Sequence, residues 1–204
     1  GADLPAGGDA VVFHCGNCGR GWCLQEQGLI RIDLSFARFK MERHIRYYPF
    51  WRFEAVFNSK DSVLTYQQAK TMFTNSLSIF IDDASDSIFR FYVPAFSIRN
   101  PDSAWKIATN LTRSQPNLEF DKTSDDDSSA CSLPEEEATE FARVQWFYLI
   151  FNAAGTRFRR SYLEEDVPDV YFRSGQVVYL PMKEDGIYLR EQTTGFAIQK
   201  RGVI

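Results

Sequence analysis

The residues best equipped for chemistry stand between positions 14 and 23. The run Val11-Val12-Phe13-His14-Cys15-Gly16-Asn17-Cys18-Gly19 sets two cysteines two residues apart behind a short apolar stretch. A β-strand delivers such a C-x-x-C pair to a tight turn, glycines permit the turn, and two thiolates then point at one metal ion. A structural zinc ion takes four ligands, of which Cys15 and Cys18 supply two. A second Cys pair completes the set in one reading; Cys23, His14 or a second chain does so in another. In a third reading the thiols bind nothing and serve as small apolar residues. A redox role is disfavoured, because redox C-x-x-C pairs open helices and Gly16, Gly19 and Gly21 argue against a helix here.

The opening Gly1-Ala2-Asp3-Leu4-Pro5 resembles the stretch that follows the first knuckle of zinc-ribbon proteins. That resemblance implies a first Cys pair just ahead of Gly1, about fourteen residues before Cys15, and a zinc ion in the full-length protein.

A second constellation lies in the strand pattern that follows. Between Gly28 and Lys60 there are seven basic and three acidic residues, a local charge of +4 in a chain of net charge −4. Arg46, Tyr48, Phe50 and Arg52 alternate onto one face, the arginine–aromatic mixture on which single-stranded bases stack. Packing of Tyr48 and Phe50 into a second core layer is the competing and more economical reading.

Other chemistry is thin. Of the two histidines, His14 flanks the knuckle and His44 sits beside Arg46 as a surface residue; neither has a neighbour that makes a nucleophile–base set. No nucleophile elbow, zincin helix, phosphate loop or dinucleotide glycine pattern occurs. The run from Asp121 fails as a calcium loop, with Asp126 where Gly is required and Ser132 where Glu belongs. Asp82, Asp83 and Asp86 read as a turn. Cys131, among acids, is a poor nucleophile.

The elements that position these residues follow from periodicity. Residues 28–40 alternate, with Ile30, Ile32, Leu34 and Phe36 on one face, and read as one half-buried strand. Residues 43–57 repeat the pattern: Ile45, Tyr47, Trp51, Phe53, Ala55 and Phe57 oppose the Arg46 face. The two are expected to pair as a hairpin around Lys40 to Arg43. A polar stretch with helical character from Asp61 to Asn75 and an apolar run from Leu77 to Ile81 lead to a strand over 88–98. Asn100-Pro101 opens a helix with Asn at the N-cap, and Ala104, Ile107, Ala108 and Leu111 give it one apolar face. Residues 121–131 form an acidic loop. Ser132 with Glu135 has the capping-box form for a second helix to about Asn152. Its end, Trp146 to Phe151, is apolar all round and must be buried or docked. That run is the longest apolar one and far short of the ~20 residues that span a bilayer. Short strands with turns at Glu184-Asp185-Gly186 and Thr194-Gly195 finish the chain.

Tyr47-Tyr48-Pro49-Phe50, Tyr92-Val93-Pro94-Ala95 and Tyr179-Leu180-Pro181-Met182 share one form. Proline donates nothing to a ladder, so each belongs at an edge, a bulge or a strand exit. Three such strands suggest related β units. Tyr47 to Phe53, with Val93 to Phe96, also resembles a bacterial protein family in which an N-terminal zinc ribbon precedes an α+β domain with YxPFW and VPAF strands. The resemblance implies that architecture and no activity.

Composition completes the expectation. Hydrophobic content of 44%, charged content of 25% and 15% aromatic residues are globular values that favour a sheet-rich core. Four cysteines, three crowded into nine residues and the fourth remote, suit a reducing, cytoplasmic compartment better than a disulfide framework. The chain reads as α+β: a partial zinc-ribbon hairpin over 1–27, then a domain over 28–204 of antiparallel sheet with two inserted helices. Its expected role is a non-catalytic interaction or scaffold module with a protein partner. Single-stranded nucleic-acid binding through the Arg46 face is the alternative, and an unrecognised hydrolase the least supported.

Overall fold

The computed structural model describes residues 9–15, 20–39, 44–59, 62–63, 88–122, 127–153, 169–173 and 175–203. The expectations for 64–87, for Cys18 and for Asp125 and Asp126 lie outside these residues. Among the described residues the fold is α+β, two α-helices with mostly antiparallel strands, as the sequence predicts.

A three-stranded antiparallel sheet comes first: β1 (Val12–His14), β2 (Gly21–Gln25) and β3 (Gly28–Ile32). The expected single strand over 28–40 is broken at Asp33. Its first half is β3 in the small sheet, and its second half, β4 (Leu34–Ala37), crosses into the main sheet. A division of the chain at residues 27 and 28 therefore falls in the turn joining β2 to β3, and the small sheet runs on to Ile32. Gly21 shows how closely the sheets meet: a Cβ there would lie 2.6 Å from Leu34 Cγ and 2.9 Å from the Ile32 carbonyl oxygen.

The main sheet is organised by β5 (Ile45–Ser59). The expected hairpin of 28–40 with 43–57 does not form. Instead β10 (Gln176–Asp185) lies between β4 and β5, parallel to the first and antiparallel to the second. A near-continuous apolar run, Val177 to Met182, makes β10 the natural central strand, since it is buried on both faces. Beyond it come β11 (Tyr188–Glu191) and β12 (Ala197–Gln199), and β8 (Phe120–Asp121) flanks β4. The other strands pairing with β5 are β6 (Ser62–Val63), β7 (Phe89–Pro94) and β9 (Asp169–Phe172).

The three Tyr-x-Pro segments meet at the middle of this sheet. Tyr179 stands opposite Pro49, Pro181 opposite Tyr47, and Pro94 opposite Phe50. The prolines fall where no donor is needed. On one edge of β5, Tyr47 bonds the 127–129 segment and the Pro49 carbonyl accepts from Ala95, so Pro49 sits where that edge changes partner. Pro181, whose carbonyl accepts from Gln192, occupies the matching changeover from β4 to β11 on β10. Both prolines thus stand inside central strands, at breaks in the ladder.

Alternation along β5 splits the core in two. Tyr47, Trp51, Phe53, Ala55 and Phe57 join the core beneath helix α2 (Glu135–Ala153) and the small sheet. Tyr48 and Phe50 join a second core beneath α1 (Pro101–Ser114), with Leu189 and Ile198 of the C-terminal strands. Asn100 caps α1 as expected, accepting from the Asp102 amide at 3.0 Å with Pro101 following. The capping box at Ser132 does not form. Ser132 is bonded to Ala95 and Ser97, α2 opens behind Pro134, and Glu135 reaches across to the Gly175 amide at 2.7 Å. The apolar end of α2 is buried along one side only: Trp146, Leu149 and Ile150 lie in the core, while Phe147 is half exposed. Among the described residues no helix is long and apolar enough to cross a membrane.

Candidate functional site

β1 delivers Cys15 to the mouth of its hairpin, where the Cys15 amide donates to the Arg20 carbonyl at 2.9 Å and closes the last rung. Cys18 lies outside the described residues. Cys23 and His14, the two alternative ligands, are both described. Cys23 pairs in register with Val12, is 3% exposed in the first core, and burial raises its thiol pKa, with Glu135 and Glu136 adding to the rise. His14 turns its ring toward Phe36, 5.8 Å between centroids, and burial lowers its pKa. Its Nε2 is buried without a hydrogen-bond partner. Among the described residues no three metal-binding side chains come together. Of the two C-x-x-C cysteines, Cys15 is the one among the described residues, at the end of β1.

Cys131, at the end of the acidic loop, is fully buried, and it bridges to Val12 from the side opposite Cys23. Two strand spacings, about 9–10 Å, separate Cys23 from Cys131, too far for a disulfide. Burial, not the neighbouring acids, pushes the Cys131 thiol up to about 12.

The Arg46 face is not a binding platform. Tyr48 is 6% and Phe50 0% exposed, and both rings pack edge-on against Phe96 at 4.8 and 5.6 Å. The flanking cations are engaged as well. Arg46 pairs with Asp127 at 3.1 Å; Arg52 donates to Gln176 and lies over the Phe120 ring at 4.7 Å. Alternation placed these residues on one face correctly, but helix α1 and the C-terminal hairpin cover it. Rings inside a packed core have no free surface on which a base can stack.

A cleft of about 300 Å³ opens between the two sheets, lined by Gln25, Ile32, Asp33, Trp51, Glu135 and Gln176 among others. Two carboxylates face it, and one is already committed: Glu135 Oε1 holds the Gly175 amide. A Cβ at Gly175 would meet Phe53 and Trp51 at 2.7 and 2.8 Å, so this turn is packed hard against the core. Burial raises the pKa of Cys23, the one thiol on the cleft wall. The cleft joins the sheets and offers no nucleophile activated by a base.

The outer face of the small sheet is different. Cross-strand partners share a face, so the register Phe13–Trp22–Arg31 and Leu24–Leu29 puts all five side chains on the side away from Cys23. Leu24 is 52% and Leu29 48% exposed, directly opposite one another, with Phe13 and Trp22 half-buried beside them. Arg20 and Arg31 are exposed at the rim. The sequence carried this signal in the alternation Trp22-x-Leu24 and Leu29-x-Arg31 about the turn at Glu26-Gln27. It was masked by reading residue 28 as the start of a separate strand.

Comparison with known proteins returns no match to the chain, whether to a family model, a curated sequence or a solved structure.

Proposed function

We propose that the protein is a non-catalytic interaction module, acting in the cytoplasm, whose N-terminal sheet docks on a protein partner. The observation that carries this reading is the exposed Leu24–Leu29 pair, flanked by Phe13 and Trp22, on a sheet whose other face packs Val12 and Cys23 into the core. Contiguous apolar side chains left in water on a short sheet mark a surface with a partner. Cys15 and Cys18 serve in this reading as two arms of a zinc ion that stiffens the β1–β2 hairpin, the remaining thiolates lying in the full-length protein. The ion would act as a structural clamp with no role in bond making.

Cross-linking from a photoreactive residue at Gln27, in wild type and in Leu24→Asp/Leu29→Asp, tests the docking face. A defined cross-linked protein that disappears in the variant supports the reading, provided circular dichroism shows both forms folded. Retention of the cross-link in the variant moves the interaction elsewhere, and absence of any cross-linked protein sinks it. Metal analysis of the full-length protein, with Cys15→Ser alongside, tests the zinc: about one equivalent is expected, lost in the variant.

A further inference from the structure

The small sheet has one edge committed and one open. β1 is tied to the body through Val11 and Val12, whose amides both donate to the Cys131 carbonyl, at 2.8 and 3.3 Å. β3 pairs with β2 on one side and, among the described residues, with nothing on the other. Among the described residues the whole length of β3 is therefore open to a further strand, whereas β1 is held at Val12.

Open edge strands in monomeric proteins are ordinarily blunted by charge, proline or a covering element. β3 is blunted little. Leu29 is 48% and Ile30 38% exposed, so apolar side chains reach solvent on both faces of the same edge. Its one charge, Arg31, has no acidic partner among the described residues. Arg38, Arg46, Arg143 and Arg190 each have one. Nor does Arg20, on the same outer face, have one.

We propose that β3 takes up an extended segment of the partner protein as an added strand, with apolar residues opposite Leu29, Ile30 and Ile32 and a carboxylate opposite Arg31. The proposal rests on the interaction reading above and specifies its chemistry. Main-chain hydrogen bonds to the open edge supply affinity, while the side chains standing across from β3 supply selectivity. The added strand extends the outer face next to Leu24 and Leu29, and its carboxylate completes a cross-strand ion pair.

The test uses fluorescein-labelled six-residue peptides built on Val-Glu-Val-Val, the same with Lys for Glu, and the Glu peptide N-methylated at alternate residues, followed by anisotropy. The Glu peptide is expected to bind about tenfold more tightly than the Lys peptide, and Arg31→Glu to invert that order. N-methylation is expected to abolish binding, because it removes the ladder donors. Equal binding of the Glu and Lys peptides, an order unchanged in Arg31→Glu, or full binding of the N-methylated peptide overturns strand addition. So does competition by oligothymidylate alone, which would assign the arginines to nucleic acid. If cross-linking depends on Leu24 and Leu29 but peptide selectivity fails, the docking face stands and the strand falls. If neither is seen, both fall.

Discussion

The Tyr92 amide donates to Thr112 Oγ1 across 3.0 Å, so a helix side chain stands where a neighbouring strand would be. Two residues earlier along β7, Gln115 does the same with both ends of its amide. Its Oε1 accepts from the Arg90 amide at 2.9 Å, and its Nε2 donates to the Arg90 carbonyl at 2.6 Å. The left-handed conformation of Gln115, φ 44°, ends α1 at the point that lets its side chain turn to the strand. Thr112 also accepts from Gln145 of α2 at 3.0 Å, tying the second helix to the same edge. The outer edge of β7 is thereby occupied.

Thr112→Val combined with Gln115→Ala is expected to expose that edge. It leaves buried β7 donors without acceptors, at about 1–3 kcal/mol apiece. Light scattering during size-exclusion chromatography should show self-association that wild type lacks at the same concentration, and urea denaturation a lower midpoint. An unchanged scattering mass and an unchanged midpoint would show that the side chains do not protect the edge.

Gly21→Ala is expected to destabilise the chain by about 1–3 kcal/mol, because the added methyl meets the buried Leu34 side chain and the Ile32 carbonyl oxygen. Gly186→Ala, where nothing lies within 4 Å but φ is +60°, is a useful contrast. Its cost should be the smaller one of backbone strain alone. Denaturant titration of both variants orders them.

Glu191 is fully buried at the end of β11, and its carboxylate accepts from four donors. These are the Thr193 amide at 2.6 Å and hydroxyl at 2.5 Å, and the Thr194 amide at 2.8 Å and hydroxyl at 2.6 Å. Glu191→Gln presents an NH₂ group to donors and should cost about 2–4 kcal/mol. Glu191→Leu, which removes the charge but leaves the four donors unmatched, should cost as much or more. A thermal-shift loss below that of Gly186→Ala would show the turn to be held by other contacts.

Alkali should unfold the protein through Cys131 and Tyr179. Burial raises both pKa values, the Cys131 thiol to about 12 from an ordinary 9.0. A raised acid is neutral in the folded chain while the unfolded chain already ionises, so stability is intact below about pH 9 and falls as pH rises beyond it. For Cys131 alone the loss is about 1–2 kcal/mol by pH 10. Cys131→Ala should flatten that part of the stability–pH curve after allowance for its own packing cost. The same slope in the variant would remove Cys131 from the account.

Native thiol labelling separates the cysteines. Cys23 and Cys131, buried and with raised pKa values, should resist a charged maleimide until the chain unfolds. Mass spectrometry of peptides labelled before and after denaturation reads this directly. Modification of Cys131 in the native protein would contradict its place between Val12 and the core.

Much of this was legible in alternation and caps. Both faces of β5 and the start of α1 follow from residue spacing, because each depends on neighbours within a few positions. What pairs with what did not follow. β4 and β5 look like consecutive arms of a hairpin, yet the strand between them arrives some 120 positions later, and no local pattern carries that information. The candidate site suffered in the same way. Arg46, Tyr48, Phe50 and Arg52 were placed on one face correctly, but the helix and hairpin that cover them are remote in sequence. Leu24 and Leu29 are open to inspection, but the turn at Glu26-Gln27 between them reads as a boundary. Glu135, read as a local cap, is drawn instead to Gly175, a long-range partner.

The insertion of β10 between β4 and β5 sets a schedule for the nascent chain. Until residues 176–185 have left the ribosome, β4 has no partner on its inner side and β5 carries one bare flank of aromatic strand. Long-range closure of this kind is slow and leaves apolar edges in water while it waits. Cells producing this chain should therefore show it held by a nascent-chain chaperone until the sheet closes, and stop codons ahead of Gln176 should yield insoluble protein.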